Sequence, residues 1–205
     1  MLSSVPPVKR FVSTNGIRMK VLMWPSPASG ATPVVLLHGL TSCAETWSLV
    51  APALAADRPV FALDLRGHGE TDKPDGGYDP DTAVADVAGA LDALGLESCC
   101  LAGHSWGCGL GVRLAAGDPR RVRRLALVDG GFGNRRPSGG SDGGAPTPEW
   151  LEQMLAPIEV YRTLDTYFAE VRRSLNGHWS AEIEAIALAS IYRNADGSVR
   201  ECLSR

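Results

Sequence analysis

Nowhere does the 205-residue sequence approach the roughly 18 consecutive apolar residues that span a bilayer. Residues 1–10 hold Pro6 and Pro7 but no apolar core of signal-peptide length. No membrane anchoring is expected, and the sequence reads as cytoplasmic. An excess of one charge is also missing. The net charge is −3, with both signs mixed along the chain, so there is no electrostatic footing for nucleic acid or an anionic membrane. Small molecules are the expected partners. Cysteine is sparse and odd in number, five in all, with Cys99 and Cys100 adjacent and no C-x-x-C spacing. That excludes a disulfide framework and a thiolate metal centre, leaving reduced, mostly buried small residues; no metal and no cofactor are expected.

With 44% apolar residues, the chain can bury one sizeable core. Its organising stretch is Gly103-His104-Ser105-Trp106-Gly107, preceded by the apolar run 98–101 and followed by a small-residue helical pattern. This reads as strand, sharp turn and helix with Ser105 at the tip. Glycines two residues to either side remove side chains that would clash in so tight a turn. The hydroxyl then stands clear of the sheet.

Upstream, residues 9–14 and 17–24 alternate around Asn15-Gly16, the signature of a two-residue β-hairpin. Val34-Val35-Leu36-Leu37 and residues 59–63 are unbroken apolar runs, as in strands covered on both faces. Between them, Trp47, Leu49, Val50, Leu54 and Ala55 predict a helix. Another is predicted by Val84, Val87, Ala88, Leu91 and Leu94, closed by Gly95. Residues 122–128 form a further strand, ending at Asp129-Gly130-Gly131. Alternating strands and helices specify an α/β fold: a mostly parallel, doubly wound sheet with an N-terminal hairpin and helices on both faces. Sites in such sheets lie beyond the strands' carboxyl ends, where His38, Asp64, Ser105 and Asp129 all fall. The cluster Arg120, Arg121, Arg123 and Arg124 reads as a solvated helix C-terminus, which favours cations.

After Gly131 the character changes. Residues 133–148 are a low-complexity linker rich in Gly, Ser and Pro. Trp150, Leu151, Met154, Leu155 and Ile158, then Leu164, Tyr167, Phe168, Val171 and Leu175, recur at helical spacing, with Pro157 between two helices. A third helix is predicted over 181–192, with Ser180 as N-cap and Glu182 and Glu184 in its first turn. The expected organisation is a core over 1–132, a linker over 133–148, a helical segment over 149–195 and a return toward the core over 196–205.

Residues 9–131 resemble the first part of an α/β-hydrolase-fold protein. The likeness rests on His38-Gly39 after one strand, the run from Asp64 to Pro74 (DLRGHGETDKP) after the next, and Gly103-His104-Ser105-Trp106-Gly107 after a third. The resemblance implies that Ser105 is a nucleophile, that the backbone N–H groups of Leu40 and Trp106 form an oxyanion hole, and that the helical segment is a cap whose aromatics line an apolar chamber. It implies structural roles for His38, His68 and His104. Serine rather than aspartate at 105 points away from epoxide hydrolase or dehalogenase chemistry and toward cleavage of a small carboxylic ester, thioester, lactone or C–C bond. In that family the triad runs Ser, acid, His, with the His after the last strand. Asp129 is the candidate acid, although many relatives place theirs one strand later. His178 alone follows Ser105, and a base on a cap would be an unusual arrangement. The sequence is therefore expected to be the N-terminal part of a longer enzyme or the product of a shortened gene, impaired in turnover. The alternative is an inactive remnant or small-molecule binding module of the same fold. The strand over 122–128 is then an open edge through which self-association is expected.

Overall fold

The computed structural model describes residues 6–28, 30–130 and 160–201. The expected linker over 133–148 and the helix around Trp150 to Ile158 lie outside these residues. A six-stranded sheet organises the chain, in the order β1 (Val8–Thr14), β2 (Ile17–Trp24), β4 (Val60–Leu63), β3 (Val34–Leu37), β5 (Cys99–His104), β6 (Val122–Val128). The last four run parallel, and β2 joins β4 antiparallel. The β1–β2 turn is Asn15-Gly16 as expected, with φ of 42° and 78°, matching the twist of the strands it joins.

Helices cover both faces. On one, α2 (Pro80–Ala93) and α3 (Trp106–Gly117) bury Val87, Leu91 and Leu110 against Met19, Val21, Leu37, Leu63 and Leu101. Each large apolar side chain so buried contributes about 1.5–3 kcal/mol. Asp79 caps α2 by accepting from the Asp81 and Thr82 N–H groups, and Pro80 takes the first position, where its missing N–H costs nothing. Gly95 (φ 71°) ends the helix, with Leu96 N–H returning to Leu91 O at 2.9 Å.

The other face is packed by a 3-10 helix (Ala44–Leu49) and α1 (Ala51–Leu54), whose Trp47 and Ala51 meet Trp24, Leu36 and Ala62. Here the sequence predicted one helix. Pro52 has no N–H to donate back one turn, so it fits only in a first turn, and a new helix begins at Ala51. This layer stops short of the sheet's far side. Cys100 and Ala102 are half-buried, while Arg124, Ala126 and Val128 of β6 are exposed.

Residues 160–201 form α4 (Leu164–Ser174), α5 (Ala181–Ala189) and a small antiparallel sheet ordered β7 (Val160–Tyr161), β9 (Val199–Glu201), β8 (Ile191–Arg193). Ser180 caps α5 as expected, accepting from Ile183 N–H. The helix ends at Ala189 rather than Tyr192, because β-branched Ile191 and aromatic Tyr192 enter a hairpin that turns through Gly197 (φ 85°). Residues 196–201 thus complete this small sheet. Tyr167 and Phe168 are buried in the segment's own core beside Tyr161, Trp179 and Val199, so these aromatics pack the segment instead of lining an open chamber.

The segment is tied to the sheet domain at Cys43 and at the Gly69–Lys73 loop. Ser190 Oγ lies 3.4 Å from Cys43 Sγ, and the Tyr192 hydroxyl donates to Gly69 O beneath the Lys73 ammonium, 5.0 Å from the ring centre. Among the described residues no helix is long and apolar enough to cross a membrane.

Candidate functional site

Ser105 links β5 to α3 at φ 48°, ψ −111°, a backbone conformation that costs a non-glycine residue about 1–3 kcal/mol and persists only where its surroundings enforce it. The enforcement is visible. A Cβ at Gly103 would lie 2.3 Å from Gly107 O, and one at Gly107 would lie 2.5 Å from Leu37 O, so strand and helix approach more closely than any side chain allows. Ser105 N–H donates to Val128 O at 3.1 Å, and Cys108 N–H donates to Ser105 O at 3.0 Å. Beneath the turn, Cys108 Sγ donates to Gly103 O at 2.9 Å. The outcome is an exposed serine between half-buried His104 and Trp106, with the two glycines buried.

Two neighbours frame it. A Cβ at Gly39 would sit 3.3 Å from Ser105 Cβ and 3.0 Å from His104 Nδ1, placing the segment after β3 against the serine. Gly130, after β6, approaches from the other side, its Cβ position 2.7 Å from Ser105 Cα. Neither the Leu40 nor the Trp106 N–H has an acceptor among the described residues. The Gly39–Leu40 peptide is held by its carbonyl, which accepts from His38 Nδ1 at 2.7 Å and from Ser42 N–H at 3.2 Å. Because that peptide is trans, fixing Gly39 O also fixes the opposite direction of the Leu40 N–H. His38 Nε2 accepts from Leu65 N–H at 3.0 Å, so the ring is the neutral Nδ1–H tautomer. Complete burial, then the neighbouring His68 ring, holds its pKa well below the usual 6.5.

Of the four strand-end residues, Asp64 is fully buried and committed to structure. It accepts from Ala44 N–H (2.6 Å) and Glu70 N–H (2.9 Å) and pairs with Lys20 Nζ at 2.9 Å. Lys20, itself buried, reaches Glu45 at 2.5 Å. Burial would lower the Lys20 pKa, but the charges of Asp64 and Glu45 outweigh it and hold the ammonium above its ordinary value. Cys43, Glu45 and Asp64 bring ligand-type atoms within 4.8 Å of one another, and the Lys20 ammonium supplies the cation between the two carboxylates.

Asp129 is exposed, with φ 48°, one residue before Gly130. His178 is exposed in the Asn176-Gly177 turn after α4, its N–H bonded to Leu175 O. Among the described residues, neither side chain hydrogen-bonds to Ser105. Of the arginine cluster, Arg121 is tied to Asp92 (2.7 Å) and Ala88 O, while Arg120, Arg123 and Arg124 are exposed. Three contributors were missed from sequence: Cys108 under the turn, Gly130 beside it, and Lys20. Only Gly130, in a Gly-Gly pair after a strand, left a signal that could have been read.

Comparison with known proteins fits this geometry. A family model of the alpha/beta hydrolase fold matches residues 32–182. A 2-hydroxymuconate semialdehyde hydrolase of Pseudomonas sp. is 37% identical over 128 residues, 60% of this chain and 44% of that protein. An N-formylmaleamate deformylase of Pseudomonas putida is 39% identical over 119 residues, 58% of this chain and 43% of that protein. The chain thus spans less than half the length of these two curated relatives. Among solved structures, E-2-(acetamidomethylene)succinate hydrolase superposes with a TM-score of 0.75 at 24% identity, over 97% of this chain and 69% of that one. The thioesterase domain from the curacin biosynthetic pathway gives 0.77 at 20% identity, over 97% and 74%, a likeness of fold alone. The family match covers most of the sequence, and the strand-to-helix turn at Ser105 lies inside it: the chain belongs to the alpha/beta hydrolase fold family.

Proposed function

We propose that the chain carries the nucleophile half of a serine hydrolase acting on a small carboxylic ester, thioester, lactone or activated C–C bond. The observation that carries the reading is the exposed Ser105 at a backbone-enforced tip, with the Leu40 and Trp106 N–H groups lacking acceptors among the described residues. Attack by Ser105 Oγ on a carbonyl carbon would place negative charge on the carbonyl oxygen. The Leu40 and Trp106 N–H groups would receive it as an oxyanion hole, each donor worth roughly 2.7–4 kcal/mol in the transition state. The hydroxyl proton must go to a base, and the acid candidate Asp129 stands at the end of the neighbouring strand. The 160–201 segment would act as part of a cap. Relatives named as a semialdehyde hydrolase and a deformylase support bond cleavage next to a carbonyl.

A second reading, small-molecule binding without turnover, is favoured by one observation: among the described residues no imidazole hydrogen-bonds to Ser105 Oγ. Losing the base alone lowers such catalysis by several orders of magnitude. The test is covalent labelling with a fluorophosphonate, read by mass spectrometry, beside a p-nitrophenyl acetate burst. Wild type is expected to gain one adduct at Ser105 and to show a burst, with both absent in Ser105→Ala. Equal behaviour of the two proteins overturns the hydrolase reading.

A further inference from the structure

His68 is almost completely buried between two backbone carbonyls, with Nε2 2.5 Å from Leu40 O and Nδ1 2.8 Å from Arg66 O. A neutral imidazole has one N–H and can serve only one of them; the other ring nitrogen then turns a lone pair toward a carbonyl oxygen. Only the imidazolium can donate to both. The shorter separation is to Leu40, whose N–H has no acceptor among the described residues. We propose that His68 is a positioning residue for the Leu40 segment: its Nε2–H holds the Leu40 carbonyl, and a second ring proton adds the bond to Arg66 and locks the Leu40 and Arg66 turns together.

The inference rests on the proposed use of Leu40 as an oxyanion donor. Leu40 is thereby held at both its flanking peptides. His38 grips the carbonyl of the peptide that carries the Leu40 N–H, and His68 grips the next carbonyl along. The two rings lie 4.8 Å apart. The charged groups around His68 come from each neighbouring segment: Asp64 after β4, paired with Lys20 of β2 and in line with Glu45 of the 3-10 helix, and Lys73 on the same loop, under Tyr192 of β8. Burial lowers the His68 pKa, the two carbonyls and Asp64 raise it, and Lys73 lowers it, with a net position below the usual 6.5. The additional bond therefore forms only at a pH below that at which a free imidazole takes up its second proton.

The experiment is NMR of the 205-residue chain from pH 7.5 down through the titration of the His68 ring. It follows the His68 ring nitrogens, the Leu40 carbonyl carbon and the Thr41 amide nitrogen, the two backbone nuclei that report on the Leu40 carbonyl bond. The expected result is an Nε2–H tautomer at neutral pH, with Leu40 and Thr41 shifting along the same titration curve as the ring. In His68→Gln, which keeps a donor but cannot titrate, that curve is expected to vanish while fluorophosphonate labelling of Ser105 stays within a few-fold of wild type. In His68→Phe labelling is expected to slow by at least ten-fold. A flat Leu40 carbonyl across the ring titration, or a curve that persists in His68→Gln, overturns the proposal. Absence of any Ser105 adduct in wild type overturns the hydrolase reading instead, and leaves the NMR result to decide on His68.

Discussion

At the scale of single residues, the buried His38 makes stability depend on pH in a defined direction. Its ring is neutral in the folded state, with a pKa well below 6.5, whereas the unfolded chain titrates near 6.5. The unfolded state therefore binds more protons over the interval between the two values. Stability is full above about pH 6.5 and falls as pH drops toward the folded pKa, by at most about 1.4 kcal/mol per pH unit for this one group. Urea denaturation at pH 7.5 and 5.5 is expected to show a loss in wild type that is smaller in His38→Gln. A loss of equal size in both proteins would remove His38 from the account. The residue scale also separates what could be read from sequence from what could not. Ser105, Gly103 and Gly107 were legible because the constraint on the turn is local: three residues within five positions state it. Lys20 was not legible. Strand alternation marks Met19 and Val21 as core positions, and Lys20, between them, is covered only because Asp64 and Glu45 arrive from 44 and 25 residues away.

Among the elements, those with an unbroken apolar period and a signal at one end were predictable. α2 was placed by Val84, Val87, Ala88, Leu91 and Leu94 and by its stop at Gly95, while its start at Pro80, capped by Asp79, lies ahead of the first of those positions. Asp79→Ala removes acceptors for two N–H groups at that terminus and is expected to lower the urea midpoint at unchanged slope. Elements whose limits depend on distant partners were not legible. α5 ends at Ala189 because Ile191–Arg193 finds a strand partner in Val199–Glu201, and nothing in helical periodicity announces that partner. Apolar spacing in residues 164–175 likewise gave the helix but not its neighbours. Tyr167 and Phe168 turn into the segment's own core.

For the whole molecule, the parallel sense of the inner strands followed from the alternation of strands and helices, whereas the order of the strands across the sheet came only with the structure. Nor could the sequence supply the uneven cover of the sheet. Among the described residues nothing pairs with the outer edge of β6, and Val128 is 44% exposed. Antiparallel pairing of two such strands about Leu125 would set Arg124 opposite Ala126 and avoid facing like charges. The 205-residue polypeptide is accordingly expected to show concentration-dependent association in sedimentation velocity, weakened in Leu125→Pro, which removes an N–H from the edge. A monodisperse monomer at all concentrations would contradict this.

The ties at Ser190 and Tyr192 land on Cys43 and Gly69, three residues past Leu40 and one past His68. The 160–201 segment is thereby tied close in sequence to both residues proposed to act at the Leu40 peptide. On the proposed use of Leu40 as an oxyanion donor, the rate of Ser105 labelling would then report on how residues 160–201 sit against the loops after β3 and β4.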